Sequence, residues 1–151
     1  MGAVTQRVFR AGLSDAQLPG NIDNVASGLG SIAFVPNLSY AVCHLTGHGV
    51  RDAVHVGLYK GPPGFEGELV ATLATYDRPE DFDKNKSMVF KSDPRRGHVD
   101  RVELRKLELT GSIMNTIAQL FDEATKGQLY MEVRGPDNDR IMRGQFNLYA
   151  D

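Results

Sequence analysis

Asp52-Ala-Val-His-Val-Gly-Leu-Tyr-Lys-Gly-Pro-Pro-Gly-Phe-Glu-Gly-Glu-Leu-Val-Ala-Thr-Leu73 is the stretch whose reading decides the fold. Val54, Val56 and Leu58 alternate with Ala53, His55 and Gly57, the period of two that gives a strand one inward row and one row on the opposite face. Gly61, Pro62, Pro63, Gly64 and Gly67 then impose turns, because proline fixes φ and glycine reaches φ > 0. Leu69, Ala71 and Leu73 resume the alternation. The stretch reads as strand, tight turn and strand.

The same period recurs on both sides of it. Val4–Ala11 sets Val4, Gln6, Val8 and Arg10 on one face and Thr5, Arg7, Phe9 and Ala11 on the other. A turn-rich Gly12–Asn24 follows, then a strand over Val25–Val35 that Gly28 and Gly30 make bendable. Pro36-Asn37 signals a hairpin into a strand over Leu38–Thr46, and Thr46–Val50 reads as a loop. Beyond the organising hairpin, the polar loop Asp77–Lys86 leads to strands over Val89–Lys91 and Val99–Leu109. Leu129–Arg134 and Arg140–Tyr149 close the chain as strands, the latter with Met142, Gly144, Phe146 and Leu148 on one face. One segment breaks the pattern. Ile113, Ile117, Leu120, Phe121 and Ala124 recur at helical spacing, with Ser112 as N-cap and Lys126-Gly127 as stop. The expected fold is all-β: a Greek-key sandwich of about eight strands with one inserted helix.

The 151 residues make a single domain, 1–151, long enough to bury a core without staples. Net charge is −2, so no general basic field attracts nucleic acid. No apolar run is long enough to cross a membrane as a helix, and Met1–Arg7 lacks the apolar core of a secretory signal. Cys43, the only cysteine, can form no intrachain disulfide; in an alternating strand it reads as a small buried hydrophobe.

Several stretches in order resemble the CHRD domain, the module named after chordin. Phe9–Pro19, Ala26-Ser-Gly28 and Leu38-Ser-Tyr40 are similar to its opening, and 53–67 to its His-Ile-His-x-Gly and glycine-spaced run. Leu129-Tyr-Met-Glu-Val-Arg134 and Met142-Arg-Gly-Gln145 are similar to its closing strands. The resemblance implies an immunoglobulin-like or superoxide-dismutase-like sandwich, known mainly from secreted or surface proteins and without a general enzymatic activity. It also implies a position where histidines converge. Here that position carries Ala53, His55 and Arg134, with Arg143 near the end of the pattern. A zinc or copper site needs three or four ligands, and a permanent cation stands where the metal would be. No cofactor is expected.

The remaining candidates have plainer readings. His55 reads as a half-buried, hydrogen-bonded histidine or a pH-sensitive contact. His44 and His48 are four apart, but on strand and loop, where helical chelate spacing does not apply. Arg95, Arg96, His98, Arg101, Arg105 and Lys106 form a basic edge, and Asp77, Glu80, Asp81 and Asp83 lack calcium-loop spacing. Gly61–Gly67 lacks the lysine of a phosphate loop, and no nucleophile elbow is present. The expected function is therefore a non-catalytic structural or protein-binding subunit that binds other copies of itself. In that reading Val4, Gln6, Val8 and Arg10 belong to a terminal strand offered to a neighbour's sheet. The alternatives are a metal-binding or dismutase-like enzyme using His55 with His44 or His48, and a secreted ligand-binding module.

Overall fold

Alternation of the kind read at residues 54–58 recurs along the chain and builds ten strands among the described residues. The computed structural model describes residues 7–14, 27–48, 55–75, 88–90, 97–105, 109, 116–135 and 140–150. The strands are β1 (Arg7–Ser14), β2 (Ser27–Phe34), β3 (Ala41–His48), β4 (His55–Lys60), β5 (Glu68–Thr75), β6 (Met88–Phe90) and β7 (Gly97–Leu104). Helix α1 (Ile117–Thr125) follows, then β8 (Leu129–Arg134), β9 (Arg140–Gln145) and β10 (Asn147–Ala150). They form one antiparallel sheet in the order β5-β4-β8-β9-β1-β2-β3-β7-β6, with β10 paired to β1. A bridge from Ala71 to Leu109 ties the outer edge of β5 to the chain beyond β7, so the sheet nearly closes on itself. The all-β expectation holds.

One row of each strand faces the core. Phe9, Ala11 and Leu13 of β1, Ile32 and Phe34 of β2, and Cys43 and Leu45 of β3 are buried. Val56 and Leu58 of β4 meet them, with Leu129, Met131 and Val133 of β8. Cys43 is the buried hydrophobe its strand suggested; desolvation pushes its thiol well above the ordinary range. On β5 Ala71 and Leu73 of the expected row are buried in the core, and the row departs only at its start. Bulges between Val56/Gly57 and Leu58/Tyr59 change the phase, so Val70 enters the core and Leu69 stays half-buried beside Gly57.

Helix α1 covers the core with Ile117, Leu120 and Ala124. Its Phe121 meets Phe9 and Phe34 edge-on, with ring centroids 6.0 and 5.2 Å away. The cap is Thr116, and Ser112 lies outside the described residues. Thr116 Oγ1 accepts from the Gln119 N–H at 3.1 Å, and Gln119 Oε1 accepts from the Thr116 N–H at 3.2 Å, a reciprocal capping box. The expected stop is in place: Gly127 adopts φ +75°, a conformation glycine reaches without strain, and donates to Ala124 O.

Three boundaries differ from expectation. β1 runs on to Ser14 and β3 to His48, where turns were expected. The last strand breaks after Gln145: Phe146 turns into the core, its N–H donating to Leu129 O, and β10 leaves β9 to pair with β1. Leu148, expected on one face with Met142 and Phe146, is consequently 56% exposed while those two are buried. β1 is also no free edge. β2 pairs along its whole length on one side, and β10 and β9 take positions 8–10 and 14 on the other. Val8 is half-buried and Arg10 exposed, but their backbone is already paired; Val4 and Gln6 lie outside the described residues.

The capping box carries a measurable share of stability. Thr116→Ala should lower the unfolding free energy by about 1 kcal/mol, and Thr116→Ser by less, because serine keeps the accepting hydroxyl. Urea midpoints at constant m-value check this.

Candidate functional site

Because Val56, Leu58, Leu129, Met131, Val133 and Met142 face the core, the alternate residues of β4, β8 and β9 project outward. These are His55, Gly57 and Tyr59; Tyr130, Glu132 and Arg134; and Arg143 and Gln145. The ladder aligns them: His55 opposite Arg134, Gly57 opposite Glu132, Tyr59 opposite Tyr130, and Glu132 opposite Arg143. This outward row is nonetheless covered. Tyr59, Tyr130, Glu132, Arg134 and Arg143 are all buried, Arg143 to 1% exposure. Their cover is the β4–β5 loop, residues 61–67, folded back over the sheet.

Flat groups stack beneath that loop. Tyr59 and Tyr130 lie nearly parallel, 5.2 Å apart with an 11° interplanar angle. The Arg143 guanidinium sits 3.5 Å from the Tyr130 centroid, and that of Arg134 4.5 Å from the Tyr59 centroid. Burial pushes both phenols above their ordinary value, so both rings stay neutral.

The polar tips of the stack hold the loop's main chain. Arg143 donates to Phe65 O at 2.5 Å and to Pro62 O at 2.8 Å. The Gly67 N–H donates to the Tyr130 hydroxyl at 2.8 Å. Gln145 Nε2 donates to Gly61 O and to Gly127 O, both at 2.8 Å, so it ties the loop to the end of α1. A carboxylate at each level completes the cluster. Buried Glu132 pairs with Arg134 Nε, and exposed Glu66 reaches Arg140 at 2.7 Å and Arg134 at 3.9 Å. The hydrogen bond and charge of Arg140 hold the Glu66 carboxyl below its ordinary value.

His55 stands at the open end, edge-on to Tyr59 at 6.1 Å. Burial first, and the Arg134 charge second, lower its pKa, so it is neutral near pH 7. Its buried Nε2 has no hydrogen-bond partner among the described residues, contrary to the expectation of a hydrogen-bonded histidine at that atom. A methyl on Gly57 would stand 2.6 Å from that nitrogen, so glycine here keeps room for the imidazole.

The structure thus brings His55, Arg134 and Arg143 onto one face. Ala53 lies outside the described residues. His44 does not join them. It is exposed on β3, and β8, β9, β1 and β2 lie between β3 and β4. His48 ends β3 with its backbone opposite Ser27. Among the described residues no three His, Cys, Asp or Glu side chains gather around one point. Sequence reading passed over Tyr59, Tyr130, Glu132, Glu66, Arg140 and Gln145. The available signal was Tyr130-x-Glu132-x-Arg134, a polar row interleaved with Leu129, Met131 and Val133. Guanidinium on carbonyl, phenol on amide and amide on carbonyl make a clamp for main chain.

Two measurements probe the clamp. Arg134→Met strands the buried Glu132 carboxylate and should cost about 3–5 kcal/mol, while Arg134→Met with Glu132→Leu should cost clearly less than the sum of the single changes. The lowered His55 pKa means that the unfolded chain binds the proton first as pH falls. His55's contribution is complete above the ordinary histidine value of about 6.5 and declines below it. His55→Leu should flatten the fall in urea midpoint between about pH 7 and 5.

Compared with known proteins, the chain matches no family model, no curated protein and no solved structure.

Proposed function

We propose that the protein is a non-catalytic structural or protein-binding subunit, a chordin-type Greek-key sandwich that associates with copies of itself. The observation that carries this reading is the use made of the outward face of β4, β8 and β9. Its strongest hydrogen-bonding groups, on Arg143, Tyr130 and Gln145, are engaged with the main chain of residues 61–67. Groups used in that way hold a surface in shape; they are not open to a substrate. The surface so held presents Phe65, 67% exposed and the most exposed of the large apolar side chains described. The His55–Arg134 register supports the chordin-type fold in this reading, since the resemblance aligns these positions at one place. Arg134 also supplies a permanent positive charge beside His55, which opposes a bound cation there.

A metal-binding reading draws on one observation, the buried Nε2 of His55, which has no partner among the described residues. Two measurements separate the readings. Sedimentation of the native protein over rising concentration should show discrete oligomers or longer assemblies, and a monomer throughout would overturn self-association. Elemental analysis of protein purified without chelator should find zinc and copper well below one per chain, and one ion per chain would establish the alternative.

A further inference from the structure

A cavity of about 150 Å³ opens between α1, the start of β1 and the β9–β10 corner. Phe9, Phe121, Ala124, Phe146 and Leu148 give it apolar walls, and Arg7 stands among the lining residues with its guanidinium 5.0 Å from the Phe121 centroid. We infer that this cavity receives the Phe65 side chain of a second copy of the chain. The inference rests on the self-association proposed above and names the contact that would produce it.

Size is the first reason. An apolar cavity of about 150 Å³ is the volume that accepts a benzene ring. A phenylalanine ring matches it, with the methylene leaving through the open mouth. Among the described residues, the chain's own Phe65 is not one that lines the cavity, so a copy does not seat its own knob there.

Presentation is the second. Phe65 sits on main chain that is already fixed, its N–H donating to Pro62 O and its carbonyl accepting from Arg143. A knob ordered before contact loses little loop entropy on binding. Charge is the third. Glu68 follows the knob and is exposed, Glu66 being engaged by Arg140, whereas Arg7 lines the cavity and Arg10 lies further along β1. Arg10 stacks 3.7 Å from the exposed Tyr149 ring, and Tyr149 and Leu148 continue the apolar surface beside the cavity. The exposed Glu68 and the basic rim attract each other, and guanidinium groups already lying on aromatic faces extend that surface to an incoming ring.

Knob and cavity are different patches of one chain, so the contact is heterologous. Each copy offers a free knob at one side and a free cavity at the other. Such contacts build rings when the rotation closes and filaments when it does not.

A mixing experiment tests this with two variants at exposed positions. Phe65→Ala removes the knob. Thr125→Trp, on the exposed rim of the cavity, blocks the hole. Circular dichroism and urea midpoints should show both folded like the unaltered chain. In sedimentation the unaltered chain should associate, and each variant alone should dissociate with its constant raised about tenfold or more. A one-to-one mixture should form a heterodimer and stop there, because one intact knob meets one intact cavity and the other ends are dead. If both variants associate like the unaltered chain, the interface lies elsewhere; this inference falls and self-association stands. If each variant dissociates but the mixture forms no heterodimer, the knob-and-cavity pairing is wrong. If the unaltered chain is a monomer at every concentration, both readings fall.

Discussion

A buried guanidinium stacked on a phenol ring is the contact on which the outer layer of this protein depends. Arg143 is withdrawn from water, and burial pulls its pKa down from the ordinary arginine value. Desolvating a cation costs several kcal/mol. Among the described residues no carboxylate stands within ion-pair distance of Arg143; two loop carbonyls, Gln145 Oε1 at 3.4 Å and the Tyr130 face offset that cost. Charge-assisted hydrogen bonds contribute about 1.5–3 kcal/mol each, and a desolvated cation–π contact about 2 kcal/mol. The dependence runs both ways. The cation is tolerable because the loop brings carbonyls to it, and the loop lies flat because the cation is there.

The loop sequence suits that partnership. Pro62 and Pro63 limit the conformations of the unfolded chain, so fewer are lost when 61–67 closes. Gly61 and Gly67 permit the closure itself. A methyl on Gly61 would stand 2.9 Å from Gly67 Cα, and one on Gly67 would clash with the Lys60 carbonyl and reach the Tyr130 ring at 3.1 Å. Bare backbone at both ends of the loop lets those ends meet beside the Tyr130 ring. Gly57 acts in the same way within β4, where its missing side chain admits the His55 ring.

How much of this was legible in the sequence differed from element to element. β8 was read with its ends in place, because Gly127 and Gly135 bracket an unbroken run. Which of its residues faced the core was harder, since all six are buried. The break at Phe146 was hidden for a physical reason. Period-two alternation continues through Gln145-Phe146-Asn147, and only the Phe146–Leu129 hydrogen bond and the switch of β10 to β1 interrupt it. The helix start was present as Thr116-Ile-Ala-Gln119, yet Ser112 before Ile113 offered an earlier cap to the same pattern. At the site, Arg134 stood out only through the resemblance, which sets it where a histidine would converge. Its acid Glu66 did not, because that contact depends on the loop folding back across the sheet.

The distribution of strand edges explains why association, on this reading, works through a side chain and not through sheet extension. β1 is paired on both sides, and β5 is tied through Ala71 to Leu109. The strands with a described partner on one side only, β6 and β10, have three and four residues. Edges that short give an incoming strand few hydrogen bonds, a common protection against edge-to-edge aggregation. What the outer surface does offer is apolar side chains: Phe65 on its clamped loop, and Leu148 and Tyr149 where β10 peels away to β1. The turn at Phe146 that broke the expected last strand places Phe146 and Leu148 in the cavity wall. In the proposed contact the clamp on 61–67 holds the knob, and the corner at 146 helps to build the socket.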